Sequence, residues 1–542
     1  MTKYEEGALF DPETVLGLLD KFYPRMLSQI DRDPSSPTYG SCDRQFWMYR
    51  LHDFESGVLQ QQGLVLAVLS NLAERSVLVG CRYLRKELAA YWRELAGAIG
   101  RRTAAALARR KMLDEYYPGE HSFPATVFAS YATLKAAVLL DDREVIESTG
   151  LERAARALAR RKRSAAANQD MAAAAFLGLY ETVCPGRVTD VNRSVDELLG
   201  GERSCGLFLE YGGADLGYGT VSLHFLACLL EDGVVDCRDA LRQLARLLAR
   251  FVTPAGRLGG EFASRSTTYA LPFGLLEAAR LEPSIAGRLS LLDLHGLYEK
   301  LDDRYLGHYC LCSLALAARS LLTRGAPVWQ AEPVPSVWET YWDSQTGLFA
   351  AQCGSSAVFI GPQKGGTLQW EHNGAVGIDC GFRVHVGGLA YATAVAGADP
   401  APEVVETPDH VEIVVRARLL RYGNLIASPF KTIVLRLLTF FGPQLNSFFK
   451  AALITKPRPL SGVRIERRIR LEFSTGRLTV EDNASGRTGI HRSPPSSLRL
   501  VPSARFHQAG EEEAYLESLR PVTWPVLRTV QLTPAKGPSR LA

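Results

Sequence analysis

Four stretches of the 542-residue chain gather side chains able to hold an anion or move a proton. The densest runs from Cys205 to Thr220 (CGLFLEYGGADLGYGT) and opens a helical pattern that contains His224. Its glycines surround Glu210, Tyr211, Asp215 and Tyr218, so backbone and phenols are free to approach a ligand closely. A tight loop with packed tyrosines uses the same composition, and without a preceding strand or a Lys-Ser/Thr pair it is not a phosphate loop. The second stretch, Gly259 to Tyr269 (GGEFASRSTTY), sets Arg265 among hydroxyls. That suits bidentate capture of a carboxylate or phosphate, and equally the capping of a helix C-terminus. In the third, Asn168, Gln169 and Asp170 head an apolar helical run, where Asn168 also reads as a helix cap. The fourth holds Lys364-Gly365-Gly366, Trp370-Glu371-His372-Asn373 and Ile378-Asp379-Cys380-Gly381. His372 is a residue type suited to act as a general base, although a histidine in a β-turn is as readily a surface residue.

The elements that must position these residues change type along the chain. From Pro12 to about Thr323 apolar residues recur at helical spacing. The periodicity predicts helices over Val58–Leu78, Leu84–Met112, Phe123–Leu140, Glu144–Leu158, Ala165–Val183, Val221–Leu230, Arg238–Phe251, Thr268–Leu281 and Tyr305–Leu322. Short Pro/Gly breaks between them fit antiparallel helical hairpins. After Arg324-Gly325-Ala326-Pro327 the pattern becomes β-type, with strands predicted over Leu348–Gln352, Ala357–Ile360, Val376–Ile378, His410–Ala417, Val463–Phe473 and Arg477–Glu481. Helices followed by strands make an α+β multidomain chain: a helical domain over 1–323, a linker over 324–337, an antiparallel β domain over 338–534 and a tail over 535–542. Within the β domain, the apolar insertion 431–456 carries Arg436 and Lys450. It reads either as a buried strand and helix or as an interfacial element that brings peripheral membrane contact.

Composition narrows the partners. With 62 Lys+Arg against 58 Asp+Glu the net charge is only +4, which excludes a strongly basic nucleic-acid binder. The basic runs Arg109-Arg110-Lys111 and Arg160-Arg161-Lys162-Arg163 read as solvated helix ends or as contacts for a polyanion. Ten cysteines are scattered singly, so no disulfide framework is expected, and His308, Cys310 and Cys312 read as core packing. No metal or cofactor is expected. The N-terminal residues carry no secretion signal, so the expected location is cytoplasmic, with the inner membrane face as the place any peripheral contact would be made.

An Asn at the head of one helix, a Gly-x-Phe-x-Glu-Tyr…Gly-Tyr loop ending at Tyr218, then Ser344-Gln345-Thr346-Gly347-Leu348 and Lys364-Gly365-Gly366 together resemble the heparinase II/III-like polysaccharide lyases. The resemblance implies an (α/α) toroid followed by an antiparallel β-sandwich, with an acidic glycan in the cleft between them. It implies that Asn168 neutralises a uronate carboxylate, that Tyr218 protonates the leaving oxygen and serves as base, and that His372 assists. Gln169 stands where that family commonly has a histidine. The implied reaction is proton abstraction at C5 of a uronate followed by β-elimination. Arg265, Tyr269, Tyr211, Glu210, His224 and Gln169 are then the candidate substrate-binding residues. The alternatives are a C5 epimerase of the same substrates, a non-catalytic membrane-peripheral protein of surface-polysaccharide assembly, and an (α/α) toroid glycoside hydrolase using Glu210 with Asp215 or Glu261.

Overall fold

The computed structural model describes residues 7–43, 55–75, 80–116, 119–164, 166–200, 206–210, 212–330, 335–394, 399–422, 429–430, 433, 437, 459–485, 489–494 and 510–532. Its first part is helical: α1 (Pro12–Leu27), α2 (Gln62–Glu74), α3 (Ala89–Arg110), α4 (Phe123–Leu140), α5 (Arg143–Ile146), α6 (Thr149–Leu158), α7 (Ala167–Val183), α8 (Val191–Leu199), α9 (Leu216–Glu231), α10 (Arg238–Ala249), α11 (Pro272–Leu281), α12 (Ala286–Leu289), α13 (Leu294–Glu299), α14 (Asp303–Tyr305) and α15 (Leu311–Arg324).

Local chemistry sets the helix starts. Asp11 accepts from the N–H groups of Glu13 and Thr14 with Pro12 in the first turn, and Ser122 caps α4 ahead of Pro124. Apolar patterning then decides depth. α4 is buried on nearly all sides, whereas α10 turns Leu241, Leu244 and Leu248 inward and leaves Arg238, Arg242 and Arg246 outside. By length and composition α4 would also suit a membrane span, but 78% of it lies inside the protein.

The deeply buried helices form a closed sequence of contacts. α2 packs on α4, α4 on α7, α7 on α9, α9 on α11, α11 on α15, and α15 back on α2. α1, α3, α8 and α10 each lay one face on a member of that cycle. Three predicted starts move for identifiable reasons. α9 begins at Leu216 rather than Val221 because Asp215 caps it, and α11 begins at Pro272, leaving Thr268–Leu271 in a loop. The run predicted from Tyr305 contains a π-helical turn, Leu306–Cys310, before α15.

Strands follow: β1 (Glu339–Asp343), β2 (Leu348–Cys353), β3 (Ser356–Gly361), β4 (Thr367–His372), β5 (Ala375–Asp379), β6 (Phe382–Val386), β7 (Leu389–Ala392), β8 (Glu403–Glu406), β9 (His410–Tyr422), β10 (Pro459–Glu472), β11 (Arg477–Ser485), β12 (His491–Arg492) and β13 (Val526–Gln531). All ladders are antiparallel; β1 to β5 form one sheet in chain order, and β12-β6-β7-β9-β10-β11-β13, with β8 on β9, form the other. β2 and β3 are apolar on both faces because both are covered. Leu348, Ala350, Ala357 and Phe359 join the core of the helices, while their alternates Phe349, Ala351, Val358 and Ile360 pack with Val411, Ile413, Ile469 and Val480 of the second sheet. The first sheet is therefore a middle layer, and the residues on its helix-facing side are placed to reach the helical loops.

Of the apolar insertion at 431–456, only Ile433 and Leu437 are described, and both are exposed, as is Phe430 just before it.

Candidate active site

Pairwise bonds link the segments that lead into the buried helices. Gln61, before α2, bonds His308 of the π turn at 2.7 Å; Arg304 pairs with Glu115, ahead of α4; the Asn168 N–H at the start of α7 donates to Glu210 Oε1 at 2.8 Å; and the Leu271 N–H, before α11, donates to Thr220 Oγ1 in α9. Helix N-termini present unpaired N–H groups and a partial positive charge, which favours anions.

Two glycine-rich loops interlock there. Ser264 donates through its N–H to Ala214 O at 2.8 Å and through its hydroxyl to Glu210 O at 3.2 Å. Asp215, fully buried, accepts from the Tyr218 N–H at 3.1 Å, from the Arg265 N–H at 2.8 Å and from the Thr267 hydroxyl. Both of its oxygens thus help to hold the two loops together. Gly259 (φ +81°) and Gly260 (φ +150°) allow the second loop its path: a Cβ would meet Thr267 O at 2.0 Å at the first and Gln369 Oε1 at 2.1 Å at the second.

The second sheet-side contribution is Lys364. Its buried ammonium reaches across from the short turn after β3 and donates to Glu261 O at 2.7 Å, Ala263 O at 2.6 Å and Ser266 Oγ at 2.8 Å. Nearby, Glu371 accepts from the Ala255 N–H at 3.0 Å and pairs with Arg257 at 2.8 Å. The middle sheet therefore fixes the loop that carries Arg265 and Tyr269.

Inside the loops lies a phenol cluster. The Arg265 guanidinium sits 5.1 Å from the Tyr218 ring centre, and Tyr218 makes edge contacts with Tyr269 at 6.0 Å and Tyr309 at 6.1 Å. Tyr305 lies 6.0 Å from both Tyr269 and Tyr309, and Arg304 covers Tyr305 and Tyr116. Burial pushes the phenols of Tyr116, Tyr269, Tyr305 and Tyr309 above their ordinary range, so all four are uncharged at neutral pH.

The side-chain amide of Asn168 faces the Glu210 carboxyl, and the Tyr269 hydroxyl and Gln369 Oε1 are buried with no bond to another described group. Orphaned polar atoms are costly inside a protein unless a ligand or water uses them. Burial pushes the Glu210 carboxyl up to about 8, against the lowering effect of the Asn168 N–H, the Asn168 side-chain amide and the nearby Arg265. Asn168 is not a cap: Ala166 occupies that position, and the N–H of Asn168 is itself satisfied by Glu210. Gln169 is half-buried beside it.

Three residues singled out in the sequence lie apart or outside. His224 faces the helical core against Phe225 and Phe273, where burial lowers its pKa to about 3 and keeps it neutral. His372 shares its strand face with Leu368 and Trp370, opposite to Gln369 and Glu371, and bonds Ser356 and Asn373 at 2.8 Å each. Tyr211 lies outside the described residues. Tyr116, Arg304, Tyr305, Tyr309 and Gln369 enter the site without having been singled out for it, while Lys364 belonged to a motif noted in the sequence. The signal available was Arg304-Tyr305 followed four places on by Tyr309, a spacing that puts two phenols on one helix face. Among the described residues no group of three His, Cys, Asp or Glu side chains is arranged to hold a metal ion.

No protein family model matches the chain, and no curated protein matches its sequence. Among solved structures, the backbone is similar to the Streptomyces coelicolor A3 chondroitin AC lyase in complex with chondroitin sulphate (TM-score 0.48, 11% identity, 87% of this chain and 67% of that one). It is also similar to a xanthan lyase from Paenibacillus (TM-score 0.38, 9% identity, 91% of this chain and 55% of that one).

Proposed function

We propose that the chain is a polysaccharide lyase, its helices an (α/α) toroid and its sheets a β-sandwich, that cleaves a uronate-containing glycan at the Tyr218 cluster. One observation carries the reading: the buried amide of Asn168 and the Glu210 carboxyl, pushed up to about 8, lie with Arg265 and Tyr218 at the start of α7 and in the loop that leads into α9. An amide, a guanidinium and a neutral carboxyl are groups that receive a carboxylate without repelling it. Held so, the uronate loses its C5 proton more easily, because the charge that develops on the carboxylate is already matched by fixed donors. The C5–H bond breaks, a C4–C5 double bond forms, the C4–O4 bond breaks, and O4 takes a proton. Tyr218 is assigned to the proton transfers, with Arg265 over its ring favouring the phenolate whenever it forms. Tyr269, Tyr305 and Tyr309 stay protonated and line the sugar.

The finer assignment, a heparinase II/III-like enzyme, rests on the matches at Asn168 and Tyr218 and gives His372 no part. The test is the ultraviolet absorbance of an unsaturated uronate during incubation with a panel of acidic glycans. A rise that disappears in Tyr218→Phe is the expected result. Solvent deuterium entering the sugar without that band would make the enzyme an epimerase, and neither signal with any glycan would overturn the proposal.

A further inference from the structure

The apolar insertion joins β9 to β10, which are neighbours in the second sheet, so it leaves and re-enters the fold at one end of a single strand pair. Pro429, Phe430, Ile433 and Leu437 are helical. Phe430, Ile433 and Leu437 are 75%, 58% and 56% exposed, so they face outward and not into the core. Their spacing of three and seven residues places them on one stripe of a helix, about 60° wide at 3.6 residues per turn. Charge sets the region apart as well. From Ile413 to Ile465 the chain has nine Lys or Arg and no Asp or Glu, although the whole chain balances 62 against 58. Arg416 pairs with Glu403 and Glu466, and Arg418 lies by Asp399. The others are Lys431, Arg436, Lys450, Lys456 and Arg458 of the insertion, with Arg421 and Arg464 exposed on the strands at its two ends.

We infer that this stripe and the cations of its region form a docking surface for a bilayer of anionic phospholipid. The boundary between headgroups and acyl chains takes up Phe430, Ile433 and Leu437, while lysine and arginine side chains meet lipid phosphates. A second copy of the chain is the weaker fit. In a two-fold dimer the patch would meet itself, setting cations against cations with no carboxylate from the region to pair them. An acidic glycan would use the cations but leave the three apolar side chains in water. Membrane docking here shares no residue with the Tyr218 cluster and does not require that cluster to be catalytic.

Co-sedimentation of the full-length protein with vesicles of phosphatidylcholine and about one-third phosphatidylglycerol, without glycan, tests the inference. Binding is expected, and pure phosphatidylcholine is expected to bind about tenfold more weakly. The combined variant Phe430→Gln, Ile433→Gln and Leu437→Gln is expected to lose about 100-fold in vesicle affinity. It is expected to keep the parent melting temperature, because all three side chains are exposed. Phe430→Trp gives a second readout that removes no apolar surface: it is expected to bind as the parent does and to be quenched by brominated lipid more than the parent's own tryptophans are. Tyr218→Phe is expected to bind vesicles like the parent, so this assignment and that of the Tyr218 cluster fail separately. No sedimentation with the anionic vesicles would overturn the inference, as would unchanged affinity in the combined variant or equal affinity for pure phosphatidylcholine. Dimers that form without lipid and are lost in the combined variant would overturn it in favour of a second copy.

Discussion

The guanidinium of Arg265 lies 5.1 Å from the centre of the Tyr218 ring, and one aspartate sets the position of both residues. Asp215 accepts the N–H of Tyr218 at the start of α9 and the N–H of Arg265 fifty residues later. It thereby converts two glycine-rich loops, each free to wander alone, into one surface. Asp215→Asn keeps the shape but removes the charge that those donors meet. The change is expected to cost about 2 kcal/mol in urea unfolding and, by letting ring and guanidinium drift apart, to lower turnover about 100-fold. Full turnover in the variant would show that Asp215 does not set the site geometry.

The Glu210 carboxyl gives the site a pH signature. Its pKa is about 8 in the folded chain, raised from an ordinary 4.5 by burial. A raised carboxyl means that the folded state holds a proton the unfolded state releases. Its stabilising effect is complete below pH 4.5 and is lost as pH rises through 8. Asp170 and Asp399 are also raised, to about 6 and about 7, so the parent protein alone does not isolate Glu210. The difference between parent and Glu210→Gln does: the variant is expected to lose less stability across pH 4.5 to 8. With uronate substrate, the parent is expected to lose activity above pH 8 as the carboxyl ionises and repels the substrate, and that limb should vanish in Glu210→Gln. Parallel stability profiles would show that Glu210 does not titrate in this window.

The order of helices then antiparallel strands was legible because periods of 3.6 and 2 are local properties of the chain. The loop residues Glu210, Tyr218, Arg265 and Tyr269 stood out because glycines and hydroxyls around charged or phenolic groups are uncommon inside helical runs. What was not legible depended on angle or on distance in sequence. Tyr305 and Tyr309 were read as part of an ordinary helix, and the π turn at Leu306–Cys310 changes where the second ring points. His224 looked like a site residue because it follows the loop, yet its position on α9 turns it toward Phe273. His372 looked exposed and reactive, yet strand alternation puts it on the face opposite to Glu371. Lys364 was visible as a motif, but its reach to Glu261 and Ala263, a hundred residues earlier, follows only from the stacking of the middle sheet on the helices.

Lys364 offers a test of that stacking. Its ammonium is buried and satisfies two backbone carbonyls and a hydroxyl of the Arg265 loop. Lys364→Met fills much of the same volume and leaves those acceptors unpaired. The expected outcome is a loss of about 3 kcal/mol in stability, together with new protease sensitivity within residues 259–269. Lys364→Arg, which keeps the charge, is expected to recover part of both. Protection of the loop equal to the parent's would remove Lys364 from the support of the site.

Tyr269 separates a residue kept for binding from one kept for packing. Its ring is fully buried and stacks on Tyr309 at 5.8 Å, while its hydroxyl has no partner among the described groups. Tyr269→Phe preserves the stack and removes a hydroxyl that was taken from water without compensation. In the absence of ligand the variant is therefore expected to be as stable as the parent or more stable by about 1 kcal/mol, because an unsatisfied buried polar group is removed. With substrate the order reverses, since the hydroxyl is then the donor a sugar oxygen would meet, and KM is expected to rise several-fold while kcat changes little. A fall in stability without ligand would show that the hydroxyl already has a structural partner, and an unchanged KM would place the sugar elsewhere in the cluster.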